Sequence, residues 1–196
     1  MMGKNHIIVN ISNVIGGYTS LLLVEQSYGS RVPFISPAIR FCEDLFIRGN
    51  HMPFWAKIVT GVIALAVGGL LPDIDSKNSI LGRMVPGDFF THRGWCHTIW
   101  FILPFLLGGF LVSTLMWFSL GMFLHLFWDN LSFAGVCFFK PDYIYYANGA
   151  FVKRGHKLKL YKAGDISEKL LVGFNIIITS VILGIAYKRG IFLTLI

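Results

Sequence analysis

Residues 99–128 run for 30 positions without a charged side chain, and this run constrains the fold more than any other feature. As one helix it would extend ~45 Å, well past the ~30 Å hydrocarbon core of a bilayer. As two full spans it is too short. It therefore reads as a helical hairpin turning near Ser113 and Thr114, with arms that are short, tilted or shielded by neighbours.

Three further apolar runs surround it. Residues 7–24 are interrupted by Asn10, Ser12, Asn13 and the Gly16-Gly17 pair. Such a helix packs against other helices, its small residues allowing close approach. It also begins too near the first residue for a signal peptide and lacks an Ala-x-Ala exit. Residues 55–71 are cleaner and stop at Pro72, and residues 169–187 form a span followed by Lys188 and Arg189. Residues 25–53 hold Pro33, Pro37 and Pro53 and read as a loop with one short amphipathic helix around 38–47. Hydrophobic residues make up 55% of the chain and charged residues 14%, against roughly a quarter charged in soluble domains. The expected fold is all-α: a multi-span integral membrane helical bundle with a central helical hairpin, forming a single domain over residues 1–196.

The net charge of +7 does not make this a nucleic-acid binder. The basic residues lie in the loops, densest from Lys153 to Lys162, where they set topology or meet anionic lipid headgroups. With the hairpin in place, the N-terminus, residues 72–98 and residues 129–168 share one side. That side collects most of the 17 Lys and Arg residues, which predicts that it faces the cytoplasm. Cys42, Cys96 and Cys137 are far apart with no CxxC pair, so neither a thiolate zinc knuckle nor a disulfide framework is expected.

The same side gathers the polar residues that carry chemistry. His6 starts the first helix, and Asp73 and Asp75 end the second. His92 and His97 open the hairpin, and His125 and Asp129 close it. His125 and Asp129 are i and i+4, so both can face one ion. His92 and His97 are five apart, and Gly94 lets the chain bend between them. Pro72 leaves the two carboxylates of Asp-Ile-Asp on a turn. Any one of these histidines would more often be a hydrogen-bonded packing residue, and any one aspartate a cap. Seven on one face of so apolar a chain are costly to keep unless they act together. Imidazole and carboxylate donors suit Zn, Mn or Fe better than Ca or Mg. Seven groups exceed one structural zinc's four, which fits two ions or one ion with acid–base groups. Arg83 and Arg93 read either as phosphate-binding groups or as snorkelling anchors.

Leu71-Pro72-Asp73-Ile74-Asp75, Ser79-Ile80-Leu81-Gly82-Arg83, His92-Arg93-Gly94 with His97, and His125 with Asp129 and Gly135-Val136 occur here in that order. Together they resemble the YdjM-like family of inner-membrane, metal-dependent hydrolases, some under LexA control. The resemblance runs from about His6 to Pro141 and continues through Tyr161 to Gly164 and Glu168. Family members often have histidine after Asp-Ile-Asp, where this chain has Ser76. They commonly have threonine before the second histidine of the His-Arg-Gly motif, where it has Cys96, itself a conceivable thiolate ligand. The resemblance implies a divalent metal held by His6, Asp73, Asp75, His92, His97, His125 and Asp129. Asp75 or Asp73 would serve as general base if not a ligand, with Arg93 and Arg83 steadying an anionic substrate. The expected substrate is a phosphoester or lipid-like molecule at the cytoplasmic face of the inner membrane, with membrane lipids as partners and no nucleic acid. Two other readings stand beside it: a non-catalytic metal-binding or transport protein, and a helical membrane scaffold whose polar cluster only joins helix ends.

Overall fold

A computed structural model describes residues 3–28, 34–47, 53–76, 79, 81–84, 94–133, 135–139, 143–145, 151–153 and 158–191. The elements are α1 (Gly3–Tyr28), α2 (Ile35–Ile47), α3 (Phe54–Leu70), α4 (Ile99–Gly109), α5 (Ser113–Leu131) and α6 (Ile166–Lys188), with strands β1 (Tyr143–Tyr145) and β2 (Phe151–Lys153). Among the described residues, α1, α6 and the stretch of α3 running on to Asp75 are long and apolar enough to cross a membrane. The all-α membrane bundle expected from the sequence is what the chain adopts.

The hairpin is present, and its arms are unequal. The chain turns at 110–112, so α4 has 11 residues and α5 has 19. At ~1.5 Å per residue, α4 falls well short of a bilayer and α5 nearly reaches across one. Pro72 does not end the second helix outright. The α-helix tightens into a 3₁₀ turn from Leu71 to Asp75, with Pro72, which has no N–H to give to the preceding turn, at its second position.

The pairing that places everything else is α3 against α5, the most extensive in the bundle. A Cβ on Gly68 would stand 2.0 Å from the Phe118 carbonyl oxygen, and one on Gly121 would stand 2.2 Å from the Leu65 carbonyl oxygen. The two backbones are therefore closer than any side chain at these positions permits, which is how small residues pack helices in lipid.

Helices α1 and α6 are joined by polar clamps. Asn175 Nδ2 donates to Asn13 Oδ1 at 2.6 Å, and Thr179 Oγ1 donates to the Ser12 carbonyl at 3.2 Å. The far side of α6 shows Phe174, Ile177 and Val181, as a lipid-facing helix should. Two buried apolar clusters flank the hairpin's open end: Val9, Trp128, Leu131, Tyr161 and Val172 on one side, and Ile102, Met122 and Leu126 on the other. Strands β1 and β2 form a small antiparallel ribbon that the apolar periodicity did not foretell. The Asn148-Gly149 pair in the intervening sequence is the hairpin signal that would have.

A buried histidine and aspartate centre

Five residues from four elements meet at the open end of the hairpin. His6 comes from the first turn of α1, Asp73 from the 3₁₀ turn after α3, His97 from a short 3₁₀ turn (Trp95–His97), and His125 and Asp129 from the last turns of α5. His6, His97 and His125 have no exposed surface, Asp129 is 1% exposed and Asp73 9%. They form two triads that share His125: His6 with His125 and Asp129, and Asp73 with His97 and His125. Within each, the ligand atoms lie within 4.8 Å of one another.

Each side chain is aimed by its local structure. His125 and Asp129 share one face of α5 at i and i+4, as the helical period requires. Ser132 Oγ donates to the Asp129 carbonyl at 2.7 Å and so closes the end of α5. Ser79 Oγ donates to the Asp73 carbonyl at 2.6 Å and accepts from Gly82 N at 2.8 Å, holding the acidic turn in place. Ile99 N donates to the Phe138 carbonyl at 2.7 Å, pinning the start of α4 beside His97.

The hydrogen bonding of His125 fixes its chemistry. Its Nδ1 lies 2.7 Å from the Gly69 carbonyl oxygen. A carbonyl only accepts, so Nδ1 carries the proton and the Nε2 of the neutral ring presents a lone pair. That lone pair faces Asp73 Oδ1 at 3.6 Å and Asp129 Oδ2 at 3.7 Å, and Nε2 makes no hydrogen bond. Three acceptors pointing at one another in a buried space repel unless a cation lies among them. His97 completes the group, its Nε2 3.8 Å from Asp73 Oδ1 and 3.6 Å from Asp129 Oδ2. Two donors held ~2.1 Å from one tetrahedral ion stand ~3.4 Å apart. The observed separations fit shared ligation better than direct hydrogen bonds, which would be shorter. The residues present fit a divalent metal.

Asp75 occupies a different place from Asp73. Its carboxylate Oδ2 lies 3.3 Å from His97 Nδ1, the ring nitrogen turned away from Asp73 and Asp129, and it belongs to neither triad. The two aspartates thus bracket one imidazole from opposite ends. Arg83 is exposed on the turn that follows Ser79. His92 and Arg93 lie outside the described residues, as do His51 and His156. Cys96 is buried and is also absent from both triads. Burial, with the Asp75 charge adding to it, pushes its thiol up to about 11. Cys96 is accordingly expected to resist iodoacetamide at pH 8 in the folded protein and to react on unfolding. Modification at equal rates in both states would show an open, ionised thiol.

Two contacts around the site were not legible in the sequence, although Gly164 and Glu168 themselves belong to the stretch that carries the family resemblance. The Gly69 carbonyl that orients His125 belongs to a residue with no side chain. Buried Glu168 accepts from Asn5 Nδ2 and from Gly164 N, both at 2.6 Å, and ties the residue before His6 to the start of α6. The spacing of Asp165, the N-cap of α6, and Glu168 is that of a capping box, a signal for the helix start that gives no hint of Asn5.

The fold and this cluster define an all-α membrane protein with a buried His/Asp centre able to hold a metal ion. The chain belongs to the YdjM inner membrane protein family, whose model matches residues 40–191. No curated protein and no solved structure matches it. The matched segment contains Asp73, Asp75, His97, His125 and Asp129 and leaves His6 outside.

Proposed function

We propose that this chain is a multi-pass, metal-dependent hydrolase of the inner membrane, with its centre at the cytoplasmic face and an amphiphilic phosphoester as substrate. The observation that carries the reading is the lone pair of His125 Nε2, fixed by Gly69 and turned toward two buried carboxylates. Asp73, His97, His125 and Asp129 would hold the ion, with zinc, manganese or iron favoured by the mixed nitrogen and oxygen donors. When bound, such an ion supplies Lewis acidity and a water of lowered pKa.

The protein's own groups divide the remaining work. Asp75 is assigned to orient His97: its Oδ2 lies 3.3 Å from Nδ1, and a hydrogen bond closed across that separation when the ion binds would hold Nε2 toward the ion and raise its basicity. Asp73 faces the two histidines through Oδ1 and is the least buried of the ligand carboxylates, at 9% exposure. As a ligand through that oxygen it would leave Oδ2 to accept a proton from an entering water. Arg83 and Arg93 are assigned to the anionic part of the substrate. Lys4, Arg83, Lys159, Lys162 and Lys169, expected on the same side of the membrane, are exposed, which supports a cytoplasmic orientation and contact with anionic headgroups. Transport is the weaker reading. A transporter needs polar groups near the midplane, and here Asn10, Asn13 and Asn175 are engaged in helix packing.

Protein purified in detergent should carry at least one equivalent of zinc, manganese or iron per chain by elemental analysis and should hydrolyse members of a phosphoester panel. A folded preparation that neither retains nor takes up metal would overturn the proposal. Asp75→Asn keeps the ligands and weakens the orienting contact, so metal affinity and turnover should fall by about 10–100-fold. Unchanged affinity would remove Asp75 from that role.

A further inference from the structure

His6 is more than one ion requires. Its ring is fully buried, lies stacked on His125 with centroids 3.8 Å apart and planes at 19°, and hydrogen-bonds through neither nitrogen among the described residues. Its Nε2 stands 3.5 Å from Asp129 Oδ1, whereas His97 and His125 approach the other oxygen, Oδ2. The Asp129 carboxylate therefore presents one oxygen to each of two donor groups. His125 cannot serve both, because Gly69 already engages its Nδ1.

We propose that the centre takes a second divalent cation, bound by His6 Nε2 and Asp129 Oδ1, with Asp129 as the bridging carboxylate. The proposal rests on the reading that Asp73, His97, His125 and Asp129 hold the first. If His6 only steadied Asp129, it would donate a charge-assisted hydrogen bond at ~2.7–2.9 Å. The observed separation is longer and lacks hydrogen-bond geometry. It matches instead the spacing of two donors on one ion, as at the first position.

The second position is the weaker of the two. It draws on two described protein donors, and among the described residues His6 Nδ1 has no acceptor of the kind that normally backs a ligating imidazole. Loss of such a partner costs about 10–100-fold in affinity. A cation held by few protein ligands keeps open coordination positions for water or a phosphoester oxygen, as two-metal hydrolytic sites do. This extends the donor set beyond the family-matched segment, since His6 precedes residue 40.

The test is titration of the metal-stripped, full-length protein in detergent with Mn(II), followed by electron paramagnetic resonance. The first equivalent should give the signal of an isolated ion. A second, binding about 10–100-fold more weakly, should convert it to the multiline signal of a spin-coupled pair. His6→Ala, or His6→Gln if alanine fails to fold, should keep the first equivalent and never show coupling. A wild-type protein that saturates at one isolated ion would overturn the second site and leave the first intact. A coupled signal that survives loss of His6 would place the second ion elsewhere and overturn the assignment. Failure to bind any Mn(II), zinc or iron would instead overturn the underlying metal reading.

Discussion

Replacing Asp129 with alanine is expected to strip the centre of metal while leaving the bundle folded. Asp129 is the side chain on which His6, His97 and His125 converge. Its removal should weaken ion binding by more than about a hundredfold, past what outer contacts cost, and abolish turnover. The fold should survive for two reasons. The contact that closes α5 runs from Ser132 Oγ to the Asp129 backbone carbonyl, which alanine retains. In the ion-free protein, deleting one of three clustered carboxylates removes like-charge repulsion. Thermal unfolding separates these effects. Wild-type protein should gain about 2.7 kcal/mol at metal a hundred times above Kd. The variant should match or exceed the metal-free wild type and gain nothing from metal. An equal metal-induced rise in both proteins would show that Asp129 is not a ligand.

The second large effect is expected far from any charge. Gly68→Ala places a methyl group 2.0 Å from the Phe118 carbonyl oxygen. Backbone cannot rotate aside as a side chain tip does, so α3 and α5 must separate. Overpacking costs typically ~1–3 kcal/mol and more where nothing yields, so a loss of about 3 kcal/mol is expected. The separation also pulls the Gly69 carbonyl from His125 Nδ1, a contact of 2.7 Å, so metal affinity should fall together with the thermal midpoint. Gly173→Ala is the control. Nothing lies within 4 Å of its added Cβ, and alanine outranks glycine in a helix by ~1 kcal/mol, so its midpoint should stay level or rise. If both variants behaved alike, the close α3–α5 approach would not govern the centre.

Much of the architecture was legible in the residues. The uncharged run of residues 99–128 was too long for one span and too short for two, and a hairpin followed. Only with the hairpin do His97 and Asp129 reach the same end of the bundle. The i, i+4 spacing of His125 and Asp129 was legible for the same reason, since helical period is a local property. The unequal arms were less so: Gly108-Gly109 and Ser113-Thr114 bracket the turn at 110–112, but within so apolar a run they mark its neighbourhood and not how much of each arm reaches across the bilayer. His92 and Arg93, both assigned to the site from the sequence, lie outside the described residues.

The sequence by itself determined a membrane helical bundle, its central hairpin and the supply of imidazoles and carboxylates at one end. These follow from hydrophobic length and periodicity, which a chain carries residue by residue. The tertiary structure alone decided how the donors are used. Gly69 turns His125 so that Nε2 faces inward, Asp75 lies at the Nδ1 end of His97 while Asp73 lies at the Nε2 end, and Asp129 divides its two oxygens between His6 and the other histidines. A lone pair's direction depends on the rotation of one helix against another. That rotation is set where Gly68 and Gly121 let α3 and α5 touch, a long-range contact that no local pattern encodes.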